Sequence, residues 1–297
     1  MPAVPVRIYA SFPAKDFGGN IAGVVYDEVG LGRVEMQRIA AELGAPTTGF
    51  VRERDSETFD VRFFSTRSEM GMCGHVTIGI FASLFDDKKI AQSAGEYRQL
   101  TPIGEIAVSV AQEDNAAYVA MRQLPPKFDL IHATAVEIAP LLGISGEQVC
   151  SIGASSTALS HLFVELKDET ALASIHPHDD ALRTFSKAKA IDTIGVWCFQ
   201  HSSPAGERVR LRDLCHGVGD PEEAASGTTN GALACLLWKR GRAKVDDLGY
   251  VRVTTEQGFE MGRPSLISSQ VLTDSERVIE VKVGGRAKRR LEGNFFL

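Results

Sequence analysis

Glu69-Met70-Gly71-Met72-Cys73-Gly74-His75-Val76-Thr77 has an echo later in the chain, Glu222-Glu223-Ala224-Ala225-Ser226-Gly227-Thr228-Thr229-Asn230. In each, a Glu stands four residues before a small nucleophilic side chain, and Gly follows that side chain at once. Both stretches run on into apolar residues, reaching Ser83-Leu84 in one and Leu236-Leu237 in the other, and both read as the start of a buried helix. Self-similarity at this separation suggests a duplicated architecture.

A helix leaves its first backbone N–H groups without intrahelical acceptors, and its dipole favours negative charge there. Cys73-Gly74-His75 and Ser226-Gly227-Thr228-Thr229 each put a Gly where backbone can come close to a ligand. Two such starts facing each other would cradle a carboxylate, or the enolate formed on proton abstraction. A thiol at a helix start ionises more readily than a free one, which makes Cys73 a candidate proton carrier. As a lone cysteine it would more simply be a small interior residue. No Walker lysine follows either Gly, so a nucleotide phosphate loop is excluded.

Working outward, Val4 to Tyr9 and Ile21 to Tyr26 read as strands around a turn at Gly18-Gly19-Asn20. Val34 to Leu43 has helical spacing. Phe50-Val51, Phe59 to Phe64, Ile106 to Val110 and Ala117 to Met121 read as strands, and Gly74 to Phe85 as the buried helix. Pro125-Pro126 is the natural linker, dividing the chain into domains over 1–124 and 127–297, the last segment free to return to the first domain. In the second half, Ala133 to Leu142, Asp180 to Lys187 and Gly231 to Trp238 are expected as helices. Leu162 to Leu166, Thr193 to Phe199, Arg208 to Leu214, Val251 to Glu256, Ser265 to Leu272 and Val278 to Val283 are expected as strands.

A chain of 297 residues fits two domains of ordinary size or one large one, and 44% hydrophobic with 24% charged residues is the mix of a globular protein. A net charge of −6 argues against nucleic acid as partner, and the basic run Arg286 to Arg290 reads as a solvated strand end. The start lacks the basic and apolar regions of a signal peptide, and no apolar run suggests a membrane span. Five cysteines without a Cys-x-x-Cys pair fit reduced thiols and a cytoplasmic location.

Four stretches together resemble the phenazine-biosynthesis, PhzF-like family of the diaminopimelate epimerase and proline racemase superfamily. Arg62-Phe63-Phe64-Ser65 with Glu69 and Cys73-Gly74-His75-Val76-Thr77-Ile78-Gly79 resembles its R-F-F-T-P start, Glu and C-G-H-A-T-hydrophobic-G. Phe17-Gly18-Gly19-Asn20-Ile21-Ala22-Gly23-Val24-Val25 resembles its F-x-G-N-P-A-x-V-V. Glu222 to Thr229 resembles its E-D-P-x-T-G-S-A, and Gln257 to Ser265 its Q-G-x-x-M-G-R-P-S. Arg212 falls where the family has the Arg of an R-M-F segment, a candidate structural ion pair.

The resemblance implies an α+β, diaminopimelate epimerase-like fold of two pseudo-symmetric domains, each a β-barrel-like sheet around a central helix. It implies a small-molecule carboxylate as partner, possession of no metal or cofactor, no nucleic-acid or membrane partner, and room for a homodimer. By position, Cys73, His75 and Glu223 would be the catalytic groups. Gly74, Gly227 and Thr228 would hold the anion, and Asn20, Thr47, Ser226 and Thr229 would line the substrate site. Two departures matter. Thr47 stands where the family has its catalytic Glu, and a threonine hydroxyl is too weak an acid to shuttle a proton unaided. Ser226 stands where the epimerases and racemases have their second thiol.

These substitutions favour a proton shift that moves a double bond in a small unsaturated or cyclic amino acid of secondary metabolism. An amino-acid epimerase or racemase, with Cys73 paired to Glu223 or Ser226, is the alternative; a non-catalytic carboxylate- or partner-binding relative is the second. His176-Pro177-His178 reads as a loop rather than half a metal site, Cys215-His216 as strand neighbours on opposite faces, and Trp197 and Trp238 as core.

Overall fold

Thirteen residues from Gly74 carry almost no charge, and all from His75 to Phe85 are buried. A helix apolar on every side has to be wrapped on every side, and strands do the wrapping. The structure is a computed structural model and describes residues 3–129, 131–203, 205–274 and 276–297. Its first half contains strands β1 (Ala3–Ser11), β2 (Asn20–Tyr26), β3 (Thr47–Asp55), β4 (Thr58–Ser65), β5 (Glu69–Met70), β6 (Gly95–Thr101), β7 (Gly104–Glu113) and β8 (Ala116–Arg122). Helices α1 (Arg33–Leu43) and α2 (Gly74–Asp86) lie among them. The second half contains β9 (Lys127–Phe128), β10 (Val149–Ser156), β11 (Ser160–Leu166), β12 (Thr193–Ser203), β13 (Gly206–Leu214), β14 (Tyr250–Gln257), β15 (Ser265–Thr273) and β16 (Val278–Phe296). Its helices are α3 (Ala135–Ile138), α4 (Glu169–Ala173), α5 (Asp179–Lys189) and α6 (Gly227–Lys239).

The chain divides into two units, residues up to Arg122 together with Gly284–Leu297, and Gln123–Val283. In the first, the strand order β1-β2-β3-β4-β6-β7-β8-β16 closes on itself, because β1 also pairs with β16 from Ala3↔Phe296 to Ser11↔Ala287. Closure leaves no free sheet edge in this eight-stranded barrel. The crossover α1 makes β2 and β3 parallel, the crossover α2 makes β4 and β6 parallel, and α2 packs against β1, β2, β3 and β8.

The second unit repeats this order of pairings. β10 and β11 are antiparallel, β11 and β12 parallel, β12 and β13 antiparallel, β13 and β14 parallel through α6, and β14 and β15 antiparallel. The buried helix α6 has the same length as α2 and packs against β10, β11, β14 and β15. Glycine permits the close approach in both halves. A Cβ on Gly49 would lie 2.6 Å from Ile80 Cδ1 and 2.7 Å from Val76 Cγ1, and one on Gly195 would lie 2.7 Å from the Phe163 ring. Each stands two residues after the first residue of its strand, Thr47 or Thr193, which pairs with Ala22 or His161.

Several elements differ from the sequence expectation. The helix expected over Ala133 to Leu142 is α3 alone, followed by a 3-10 turn at Pro140–Leu142, since Pro140 brings no N–H. α6 begins at Gly227, four residues before the expected Gly231, because the polar Thr228, Thr229 and Asn230 are helical and, Thr228 apart, buried. β6 and β10 were not foreseen. β16 continues past Val283 to Phe296, carrying Arg286 to Arg290 along the barrel wall, where Arg286 pairs with Asp114, Lys288 with Asp16, and Arg289 with Asp87.

Candidate active site

In the first unit, the hairpin of β1 and β2, the start of β3 and the start of α2 bring the expected residues together. Cys73 is the N-cap of α2, with extended backbone (φ −146°, ψ 115°) and no side-chain capping bond. The first intrahelical bond is Thr77 N–H to Cys73 O, at 3.0 Å, so the Gly74, His75 and Val76 N–H groups precede the ladder. Cys73 Sγ lies 3.5 Å from His75 Nδ1, and Asn20 Nδ2 lies 3.2 Å from the same nitrogen. Burial lowers the His75 pKa to about 4, the Ile21 backbone opposing the shift. A neutral imidazole of that basicity orients its neighbours and does not strip the thiol to a thiolate–imidazolium pair. Thr47 is buried at the start of β3, its hydroxyl donating to Met70 Sδ at 3.7 Å.

The two glutamates of the sequence echo serve the fold. Arg62 Nε and Nη2 donate to Glu69 Oε1 at 2.8 and 2.7 Å, with Arg33 Nε 2.7 Å from Oε2. In the second unit, Arg212 Nε and Nη2 grip Glu222 Oε1 and Oε2 at 3.0 and 2.8 Å. Each pair fastens the segment before a buried helix to the preceding strand, through β4–β5 in one unit and the bridge Asp213↔Glu223 in the other.

Ser226 caps α6 as Cys73 caps α2, but through its side chain: Ser226 Oγ accepts from Thr229 N–H at 3.4 Å. Gln257 Oε1 accepts from Asn230 Nδ2 at 2.8 Å and from Ser226 N–H at 3.4 Å, while Gln257 Nε2 donates to Glu223 O at 2.7 Å. Gln123 Nε2 donates to Gly227 O at 2.7 Å. These two glutamines fix the peptides around Gly227 and Thr228. Glu223 is half-buried beside them.

Sequence reasoning missed Asp213, Thr193 and His161, which are buried beside the α6 start. Thr229 Oγ1 donates to Asp213 Oδ2 at 2.7 Å, and His161 Nδ1 lies 2.7 Å from Thr193 Oγ1. Burial raises the Asp213 pKa to about 6 against the pull of the Thr229, Thr193 and Ser226 hydroxyls, and it lowers that of His161 to about 3. The signal for Asp213 was its place in the alternation Val209, Leu211, Asp213, which aims a carboxylate inward with two apolar residues.

Asp213, Cys215 and Glu223 bring possible metal-ligand atoms within 4.8 Å of one another. Burial drives the Cys215 thiol well above its usual pKa, and it donates to Asp213 O at 3.4 Å. Asp213 Oδ2 already accepts from Thr229 and the Cys215 thiol already donates to Asp213 O, so both groups are engaged in hydrogen bonds of the fold itself. His216 Nε2 meets Asp179 Oδ1 at 3.0 Å, away from any pairing with Cys215. His176 Nδ1 bonds Ser174 O within a loop, and Trp197 is core.

Among the described residues, no helix is long and apolar enough to cross a membrane. The family model of the phenazine biosynthesis-like proteins (PhzC-PhzF) matches residues 9–293. An uncharacterized isomerase of Clostridium acetobutylicum is 29% identical over 93% of each chain. The trans-2,3-dihydro-3-hydroxyanthranilate isomerase of Pseudomonas chlororaphis is 28% identical over 95% of this chain and 94% of its own. Among solved structures, the PhzF-family phenazine biosynthesis protein of Bacillus anthracis superposes with a TM-score of 0.87 at 23% identity, covering 100% of both chains. The α+β, epimerase-like fold follows from that likeness together with the barrel and its enclosed helix. The chain therefore belongs to the phenazine biosynthesis-like family, and it is an isomerase.

Proposed function

We propose that the chain moves a proton within a small unsaturated or cyclic amino or carboxylic acid, shifting a double bond. The observation that carries this reading is Cys73 Sγ at the N-cap of α2, next to the Gly74, His75 and Val76 N–H groups that precede the helix ladder and favour a thiolate. Cys73 or Glu223 takes an acidic proton next to the substrate carboxylate, and the Gly74, Gly227 and Thr228 N–H groups hold the charge that develops. Donors aimed at developing charge contribute about 3–4 kcal/mol each to lowering a barrier. Asn20 and His75 orient the substrate, and Thr47 contributes shape where a carboxylate would contribute chemistry.

The substrate class takes its support from the Pseudomonas chlororaphis relative, whose name gives a cyclic, unsaturated amino acid, and a place in secondary metabolism takes its support from the family's description as phenazine biosynthesis-like. The test is incorporation of solvent deuterium into trans-2,3-dihydro-3-hydroxyanthranilate and a panel of other unsaturated and cyclic amino acids, followed by ultraviolet absorbance. Labelling with a change in absorbance supports a double-bond shift. Labelling at Cα without one selects an epimerase, and a panel left unlabelled by the wild type overturns both.

A further inference from the structure

Asp213 occupies the place held by Phe63 in the first unit: Phe63 pairs with Met70 and Asp213 with Glu223, each ahead of a buried helix, and each follows the arginine that grips a glutamate. The resembling family segment, R-M-F, has an apolar residue there too. A carboxyl at such a place is expensive unless it is neutral or well paired. Asp213 is fully buried, Oδ1 has no hydrogen-bond donor, and no Lys or Arg among the described residues pairs with it. Its contact is with hydroxyls. Thr229 Oγ1 stands 2.7 Å from Asp213 Oδ2 and 3.0 Å from Ser226 Oγ, and Ser226 Oγ stands 3.3 Å from Thr228 Oγ1. The other titratable groups are Cys215 after β13, Glu223 on the bridging segment, and His161 on β11, whose Nδ1 lies 3.4 Å from Thr229 Oγ1. His161 is held neutral by burial and Cys215 is kept as the thiol, so neither competes as an acid near neutrality.

We propose that Asp213, Thr229 and Ser226 form a proton relay in which Asp213 is the positioning residue that holds the proton and Ser226 hands it to the substrate carbon. This rests on the proton-shift reading above and supplies the return step that Thr47 cannot perform. When Asp213 carries a proton, it donates to Thr229 Oγ1 and Thr229 donates to Ser226 Oγ. Ser226 then gives its hydroxyl proton to the carbanion, whose electron pair forms the new C–H bond. Thr229 replaces the Ser226 proton, Asp213 replaces that of Thr229, and Asp213 is left as carboxylate. Solvent recharges it along the same chain after product leaves. A serine, too weak an acid alone, becomes a competent donor because the charge ends on a carboxylate.

The experiment uses the full-length protein and the acid the wild type labels fastest in the deuterium panel. Asp213→Asn and Thr229→Val each lower kcat at least about a hundredfold with KM unchanged. In the wild type kcat falls as pH rises and Asp213 loses its proton; Asp213→Asn abolishes that fall. Ser226→Cys, whose thiol supplies a proton by itself, restores exchange in the Asp213→Asn background. Rates within about threefold of wild type, or an unaltered pH profile in Asp213→Asn, overturn the relay. Isotope-edited infrared spectra of aspartate-labelled protein give a readout without substrate. The carboxyl band lost in Asp213→Asn shifts its midpoint in Ser226→Ala if the chain is connected; an unmoved midpoint overturns it. A panel with no labelled acid refutes the functional reading instead, and the infrared midpoints alone then decide the relay.

Discussion

Asn20 Nδ2 stands 3.2 Å from His75 Nδ1. An amide nitrogen can only donate, so this ring nitrogen accepts and the imidazole proton is on Nε2. Nitrogen NMR of labelled histidine checks this: His75 is expected as the neutral Nε2–H tautomer with a titration midpoint of about 4. A midpoint close to the free-imidazole value of about 6.5 contradicts the assignment.

Cys73→Ser keeps the size and polarity of the N-cap while replacing the thiol with a far weaker acid. Exchange of solvent deuterium into the substrate is expected to fall by a factor of about 10² or more, with the melting temperature unchanged. Full activity in this variant removes Cys73 from the proton path and leaves Glu223 as the base.

The twin arginine–glutamate clamps differ in burial, and so in what they contribute. Arg212 and Glu222 side chains are 10% and 12% exposed, whereas Arg62 is 34% exposed. Arg212→Met is expected to destabilise by about 3 kcal/mol, since it strands a largely buried carboxylate. Arg62→Met should cost about 1 kcal/mol, because water and Arg33 remain for Glu69. Urea unfolding of both variants settles the order, and equal losses refute the argument from burial.

Gly49→Ala puts a methyl group into the space of Val76 and Ile80, which are themselves fully buried. A loss of about 1–3 kcal/mol is expected from overpacking, measurable as a lower urea midpoint at constant slope. A neutral result means that the wall and helix α2 are free to move apart.

Stability should fall steeply on the acid side. His75 and His161 are neutral when folded, down to about 4 and about 3, but protonate near 6.5 when unfolded. The unfolded chain binds more protons between those values, so stability rises with pH across that window and is lost as pH falls through it. Asp213, raised to about 6, acts with opposite sign between its unfolded value and 6. Replacing His161 with Gln should flatten the acid limb of a stability–pH curve, whatever its effect at neutral pH.

Much of the fold was legible because the two buried helices announce themselves. A run such as Ile78 to Phe85 without charge has one environment open to it, and the Gly after Cys73 marks where it starts, whereas the polar Thr228, Thr229 and Asn230 hid the start of α6 at Gly227. What could not be read was pairing at a distance. Nothing local to Arg286 to Arg290 says that this segment lies beside Ala3 to Ser11, because the partner strand is nearly a whole chain away. The candidate residues found in the sequence are those that belong to a helix start. Asp213 and His161 were missed because they reach α6 from strands, and strand neighbours are set by register. The glutamates that drew attention in the sequence turned out to hold strands, as Arg212 and Glu222 show.

Strand β16 has a consequence for how the protein is made. β1 leaves the ribosome ahead of the other strands, yet one of its flanks stays bare until Ala287 to Phe296 have been synthesised. The unit between, Gln123–Val283, has by then been translated in full and lacks no later segment. The residues of β1 thus wait longest for a partner strand, and during synthesis this exposed flank is where a chaperone, or a neighbouring nascent chain, would find something to hold.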